Sequence, residues 1–185
     1  VNVQRGGPST GLPTKTEQSD LMQALYGRNG ESPSVVLASS TPGNCFDWAY
    51  KASKITLEHN TPVVLLSDGY LGNGAEPWKI KSTMDMPEIN PSIAVEGEEY
   101  QPYARDKKTL ARKLALPGTK GLEHRLGGLE KEDITGNVSY DPENHEKMVA
   151  IRAEKINRIA DIIPNQEIFG KEEGDLLVVG WGGTH

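Results

Sequence analysis

Along the first part of the chain, apolar positions come in short continuous runs. The strand-like Val1-Asn2-Val3-Gln4 is followed by Val35-Val36-Leu37-Ala38 and then by Pro62-Val63-Val64-Leu65-Leu66. Between these runs the apolar positions recur with a helical period. Leu21, Met22, Leu25 and Tyr26 mark one face of a helix over Glu17 to Tyr26, which Gly27 can close. Cys45, Ala49, Ala52 and Thr56 mark a narrow face over Asn44 to His59, with Phe46 and Leu57 nearby. Thr41-Pro42 suits the cap and first position of that helix. Continuous apolar strands separated by helices predict an α/β fold, a parallel sheet with helices on both faces. Ligands of such sheets bind beyond the carboxyl ends of the strands, where Arg5 and Asp68 both fall and can share one rim.

The pattern changes at Ala75. Pro77, Pro87, Pro91, Pro102 and Pro117 recur without a helical period as far as about Tyr140, which predicts a long ordered connection. Within it lies a polar loop, Gly121 to Asn137, with glycines at both ends and only Leu122, Leu126, Leu129 and Ile134 as anchors. Such a segment opens at low free-energy cost, as a lid does, and a surface loop without a role fits the same composition. Asp141-Pro142 then starts a helix whose apolar positions Val149, Ala153, Ile156, Ile159, Ala160 and Ile163 keep a helical period until Pro164. Leu176-Leu177-Val178-Val179 reads as a strand running into the turn Gly180-Trp181-Gly182-Gly183. The chain does not open on Met, and a strand with a Gly-rich turn is how a domain begins. The sequence therefore reads as an internal piece of a longer polypeptide.

The net charge of -6 argues against a nucleic-acid partner, because neutralising phosphates needs a basic surface. A single cysteine, Cys45, excludes an intrachain disulfide framework and any multi-cysteine zinc or iron–sulfur site. A reduced, cytoplasmic setting follows, and Cys45 reads as a small core residue. No apolar run approaches the roughly 20 residues of a membrane span. Gly6 and Gly11 have the spacing of a nucleotide-binding loop, but Leu12 stands where its lysine is required. His145-Glu146 has no second histidine one turn on, so no zinc-protease helix forms and His145 reads as a surface residue. No nucleophile elbow is present, and the sequon at Asn137-Val138-Ser139 has no meaning in a cytosolic protein.

The chemistry concentrates in Arg5-Gly6-Gly7-Pro8-Ser9-Thr10-Gly11-Leu12-Pro13-Thr14, directly after the first strand. An arginine fork pairs a carboxylate or phosphate in bidentate fashion, glycines admit close backbone N–H groups, and hydroxyls add donors. Composition alone equally allows an ordinary strand-to-helix loop with a solvated arginine. The decapeptide, together with Leu25 to Arg28, Thr61 to Leu71, Gly121 to His124, Gly136 to His145 and Gly180 to Thr184, resembles one family. It is similar to the α subunit of the thiamine-diphosphate-dependent 2-oxoacid:ferredoxin (acceptor) oxidoreductases, of the 2-oxoglutarate type.

The resemblance implies a division of the chain. Residues 1–74 would be the C-terminal half of the domain that holds the cofactor's aminopyrimidine, and 75–140 a connecting segment with an active-site lid. Residues 141–170 would be a connecting helix and 171–185 the start of a transketolase C-terminal-like domain. It implies that Arg5 and Thr10 hold the carboxylate of the 2-oxoacid, and that Glu123, His124 and Arg125 sit on the lid. His124 or Arg125 could there meet a distal carboxylate, or serve only as solvated loop charges. The family's activating glutamate would lie upstream of Val1, so no catalytic residue and no metal ligand is assigned here, and the piece alone is expected to be inert. Thiamine diphosphate and Mg²⁺ would be shared with a β subunit that also carries the iron–sulfur cluster. Coenzyme A would be the co-substrate and ferredoxin the acceptor in an oxidative decarboxylation. Two other readings stand beside this one: a non-catalytic α/β assembly module, and another thiamine enzyme of the transketolase group.

Overall fold

The structure, a computed structural model, describes residues 1–185. Three parallel strands form the sheet: β1 (Asn2–Gln4), β2 (Val35–Ala38) and β3 (Val63–Asp68), in the order β1-β3-β2. The register sets Gln4 opposite Asp68 and Ala38 opposite Leu66, so the carboxyl ends share one edge. Helices α1 (Asp20–Tyr26) and α2 (Cys45–His59) are the crossovers, and the short α3 (Gly69–Asn73) follows β3 directly. A fourth helix, α4 (Pro142–Ala160), starts where Asp141 accepts the Glu143 N–H at 3.0 Å, the cap expected from Asp-Pro.

The core lies on one face of the sheet. Val35 and Leu37 of β2, Leu65 of β3, Ile55 of α2 and Ile159 of α4 pack as a buried cluster, with Trp48, Ala52, Ile156 and Ile163 around it. Each of the five buried aliphatic side chains contributes roughly 1.5–3 kcal/mol by leaving water. The segment expected to be a connecting helix therefore supplies core residues to the sheet. On the opposite face Leu66 is fully buried, while Val36, Ala38 and Val64 are half-buried.

Helix α2 departs from its sequence reading in two ways. Its buried ridge is Trp48, Ala52, Ile55 and His59, and Ala49 is exposed, because the larger apolar groups decide which face turns inward. It begins at Cys45, not at Pro42, since residues 40–44 close a turn of their own. Asn44 Oδ1 accepts the N–H groups of Ser40 and Thr41 (3.1 and 3.2 Å), and Thr41 Oγ1 accepts the Asn44 N–H at 3.3 Å. Cys45 is half-buried, its Sγ 3.4 Å from the Thr41 carbonyl oxygen.

The proline-rich connection is ordered. Residues 76–90 run alongside α2: Glu76 accepts the Gly43 N–H at 2.6 Å, Trp78 packs at a tilt against Phe46 with ring centroids 5.3 Å apart, Lys81 pairs with Asp47 at 2.6 Å, and Tyr50 donates to the Pro87 carbonyl at 2.6 Å. Residues 93–138 are tied by isolated bridges, Ile93 to Leu114, Tyr103 to Ile134, Arg105 to Arg112 and Lys131 to Val138. The run Leu176 to Val179, expected to be a strand, joins no ladder and is exposed, because no strand lies beside it to pair its backbone. The chain then returns to the sheet as a 3₁₀ turn, Gly182–Thr184, against the end of β3.

Candidate functional site

Beyond β1 the loop folds back on itself. The Gly6 N–H donates to the Lys15 carbonyl (2.9 Å), the Leu12 N–H to the Gly6 carbonyl (2.6 Å), and the Gly11 N–H to the Pro8 carbonyl (3.1 Å). Gly11 is required for this closure. Its φ is +78°, and a Cβ there would lie 2.2 Å from the Gly6 carbonyl oxygen. The result is a cavity of about 540 Å³, with Arg5, Gly7, Pro8, Ser9 and Thr10 on one side. Glu17, Ser19, Asp20 and Gln23 form the other side, and Asn2 and Val3 complete the lining. Arg5 and Thr10, predicted as a pair, thus face one space at the carboxyl edge of the sheet.

The opposite wall is set by residues that the sequence reading passed over. Gln4 is buried; its Oε1 accepts the Asp20 N–H at 3.1 Å and its Nε2 donates to the Ser67 carbonyl at 3.2 Å. Asn2 donates to Asp20 Oδ2 at 3.0 Å. Together these two strand residues hold the start of α1 beside β1. Alternate polar residues on a short apolar strand are the signal that marks them. Glu17 Oε2 accepts the Gly7 N–H at 3.1 Å, so both acidic groups of the cavity are engaged by the protein itself. Arg5 is exposed and takes part in no ion pair or side-chain hydrogen bond, which leaves its guanidinium for a ligand. Around the unpaired Arg5, three hydroxyls (Ser9, Thr10 and Ser19) and closely placed backbone offer donors to a small anion, while the carboxylates of Glu17 and Asp20 line the same space and are turned to protein donors.

Asp68 shares the edge with Arg5 as expected, yet its carboxylate is spent on the protein. Oδ1 accepts the N–H groups of Tyr70 and Leu71 at 2.9 and 3.0 Å, capping α3, and Oδ2 accepts the Gly183 N–H at 2.9 Å.

Glu123, His124 and Arg125 do not line the cavity. His124 Nδ1 donates to the Leu122 carbonyl at 2.8 Å, and its ring packs edge-on against Tyr100 at 5.4 Å, while Glu123 and Arg125 are exposed. The loop Gly121 to Asn137 is also not uniform. Residues 125–129 are exposed, but beyond them Glu130 pairs with His145 (2.5 Å) and Arg152 (3.2 Å), and Asp133 pairs with Lys147 (2.7 Å). Asn144 both accepts the Asp133 N–H and donates to the Lys131 carbonyl, at 3.0 Å each. Only the exposed stretch 125–129 lacks such anchors, since Leu122 is buried, His124 packs on Tyr100 and α4 holds the second half. Glu130 is also desolvated, which alone would raise its pKa, but the hydrogen bonds from His145 and Arg152 hold it below the usual glutamate value.

No group of three His, Cys, Asp or Glu side chains stands close enough together to hold a metal ion, and no helix is long and apolar enough to cross a membrane.

Comparison with known proteins gives one consistent outcome. Residues 1–141 match the family profile described as "Pyruvate flavodoxin/ferredoxin oxidoreductase, thiamine diP-bdg". The chain is 53% identical to the 2-oxoglutarate oxidoreductase subunit KorA of Mycobacterium tuberculosis, over 100% of this chain and 28% of that protein. It is 31% identical to the 2-oxoglutarate synthase subunit KorA of Methanothermobacter marburgensis, over 98% of this chain and 48% of that protein. A solved structure, the 2-oxoglutarate:ferredoxin oxidoreductase from Magnetococcus marinus with 2-oxoglutarate, coenzyme A and succinyl-CoA bound, superposes with a TM-score of 0.79. Identity there is 36%, over 92% of this chain and 29% of that one. The chain thus spans between 28% and 48% of the length of these two curated relatives.

Proposed function

This chain belongs to the thiamine-diphosphate-binding family of the pyruvate flavodoxin/ferredoxin oxidoreductases, and from that premise we propose that it is part of the α subunit of a 2-oxoacid:ferredoxin oxidoreductase. The reaction is the oxidative decarboxylation of 2-oxoglutarate with coenzyme A, giving succinyl-CoA, CO₂, a proton and two electrons for ferredoxin. The observation that carries this reading is the placement of Arg5 and Thr10 around one polar cavity at the sheet's carboxyl edge. The Arg5 fork orients the carboxylate of the 2-oxoacid, and the Thr10 hydroxyl donates to the same group. Fixing that end of the substrate sets where its ketone carbon points, an orientation effect that can contribute several kcal/mol.

The cofactor itself does not fit these residues. Val3 and the Pro8 ring are the only apolar side chains of the cavity, whereas a planar aminopyrimidine needs apolar walls, and no acidic cluster is available for a diphosphate-bound cation. When bound, thiamine diphosphate supplies the electron sink for decarboxylation. We assign it, with Mg²⁺, to residues outside this cavity, shared with a β subunit that carries the iron–sulfur cluster. The exposed stretch 125–129 of the loop Gly121 to Asn137 serves as the lid over the assembled site, and the enzyme works in the cytoplasm.

The test is to co-express the full-length protein with its partner subunit and follow viologen reduction with coenzyme A and a panel of 2-oxoacids. The expected result is reduction with 2-oxoglutarate as the preferred substrate. No reduction with any 2-oxoacid would overturn the reading.

A further inference from the structure

Gln18 sits in sequence between two residues of the cavity wall, Glu17 and Ser19, but its own side chain is not part of the lining. Its Nε2 donates to the Trp181 carbonyl at 2.9 Å and to Asp68 Oδ2 at 3.4 Å. Asp68 is 1% exposed, and the same Oδ2 takes the Gly183 N–H at 2.9 Å. Gly183 fits because it has no side chain: a Cβ would fall 2.4 Å from Asp68 Oδ2. The turn Gly182–Thr184 is thereby fastened to the end of β3 by a buried carboxylate and to the cavity wall by one amide side chain.

The fastening continues toward Arg5. Gly69, next to Asp68, lies beside the Lys15 backbone: a Cβ there would stand 3.6 Å from the Lys15 carbonyl carbon, in ordinary contact. The Lys15 carbonyl accepts the N–H of Gly6, the neighbour of Arg5, and Glu17 accepts that of Gly7. Residues 15–19 are thus tied through the Gln18 side chain to Asp68 and the Trp181 carbonyl, and through Lys15 and Glu17 to the Arg5 loop.

We propose that Gln18 and Asp68 form a latch through which the Trp181–Thr184 turn fixes the Arg5 cavity, making both of them positioning residues for the ligand's carboxylate. Released from the turn, Gln18 loses its carbonyl acceptor, residues 15–19 loosen, and the Arg5 fork loses its registration with Thr10. A segment that enters the sheet unit more than 100 residues later in sequence thus governs the affinity of a site it does not touch. The ligand's identity rests on the proposed function; the latch does not.

Two variants of the full-length protein in its assembled enzyme test this. Asp68→Asn keeps an oxygen for the Tyr70 and Leu71 N–H groups, but turns an NH₂ group toward the Gly183 N–H and the Gln18 amide, donor against donor. Gln18→Met keeps the length of the side chain and removes its donor. The expected result in both is a KM for the 2-oxoacid raised about five- to tenfold, with kcat within about twofold and the KM for coenzyme A unchanged. Hydrogen exchange should quicken in residues 180–185 and, with them, in residues 15–23. Faster exchange confined to 180–185, or an unchanged KM for the 2-oxoacid, would overturn the latch. If the wild-type enzyme turns over no 2-oxoacid, the functional reading fails on its own, and the exchange in residues 15–23 decides the latch.

Discussion

The Leu12 N–H donates to the Gly6 carbonyl at 2.6 Å and closes a ring in which Thr10 lines the same cavity as Arg5. The ring it closes has no room for a side chain at Gly11. A strand end, a fork of donors and a reversal of the backbone are thereby combined within a few residues, on a rim that the parallel register places beside Asp68.

Gly11→Ala should open that ring. A left-handed conformation costs a non-glycine residue roughly 1–2 kcal/mol, and the clash with the Gly6 carbonyl adds to it. The loop is outside the apolar core, so the expected result is a KM for the 2-oxoacid raised about tenfold or more with a melting temperature within a few degrees of wild type. Steady-state kinetics with thermal unfolding checks both. Unchanged kinetics would mean that the ring does not shape the site.

Glu130 divides the loop Gly121 to Asn137 into two parts. Amide exchange on the full-length protein should be fast across residues 123–129 and slow across 131–139, where α4 anchors the backbone. Glu130→Gln weakens the pairs with His145 and Arg152, and should raise exchange in 131–139 without changing it in α2. Equal exchange in both halves of the wild-type loop would contradict the division.

Lys155 reaches from α4 to the end of α2, donating to the carbonyls of His59 (3.4 Å) and Asn60 (3.1 Å). Burial, then the nearby Arg105 and Arg112, bring its pKa down to about 8 from 10.5. The folded state therefore holds fewer protons than the unfolded one between about pH 8 and 10.5. Over that window this residue makes stability rise with pH, and below it the burden of the charged form is carried in full. Compared with Lys155→Met, the wild-type protein should gain in denaturant midpoint between pH 7.5 and 10. A difference that stays constant across that range would refute the depressed pKa.

What was legible in the sequence was what local pattern dictates. The three strands and the Asp141-Pro142 cap follow from residues near one another in the chain, whereas Arg5 and Thr10 are joined only by the family resemblance, and the structure adds that both line one cavity. The features that escaped depend on distant partners. Ala49 is as apolar as Ala52, and only the packing of Trp48 and Ile55 against the sheet shows which of them is buried. Leu176 to Val179 has strand composition, but a strand exists only where a neighbour pairs with it. His145 looked like a surface residue and is indeed largely exposed, yet it pairs with Glu130 and so helps to fix half of a loop expected to be mobile. Gln18 and Trp181 are 163 positions apart, and no local signal links them.

In the function proposed here the Arg5 guanidinium holds the carboxylate of a 2-oxoacid. Arg5→Lys in the full-length protein, assembled with its partner subunit, tests it most directly, because lysine keeps the charge and loses the planar fork. The measurement is kcat/KM for 2-oxoglutarate alongside the thermal midpoint. The account predicts a fall of about tenfold or more in kcat/KM with a midpoint within about 2 °C of wild type, since Arg5 is exposed and unpaired. Unchanged kcat/KM would contradict it and remove Arg5 from the site.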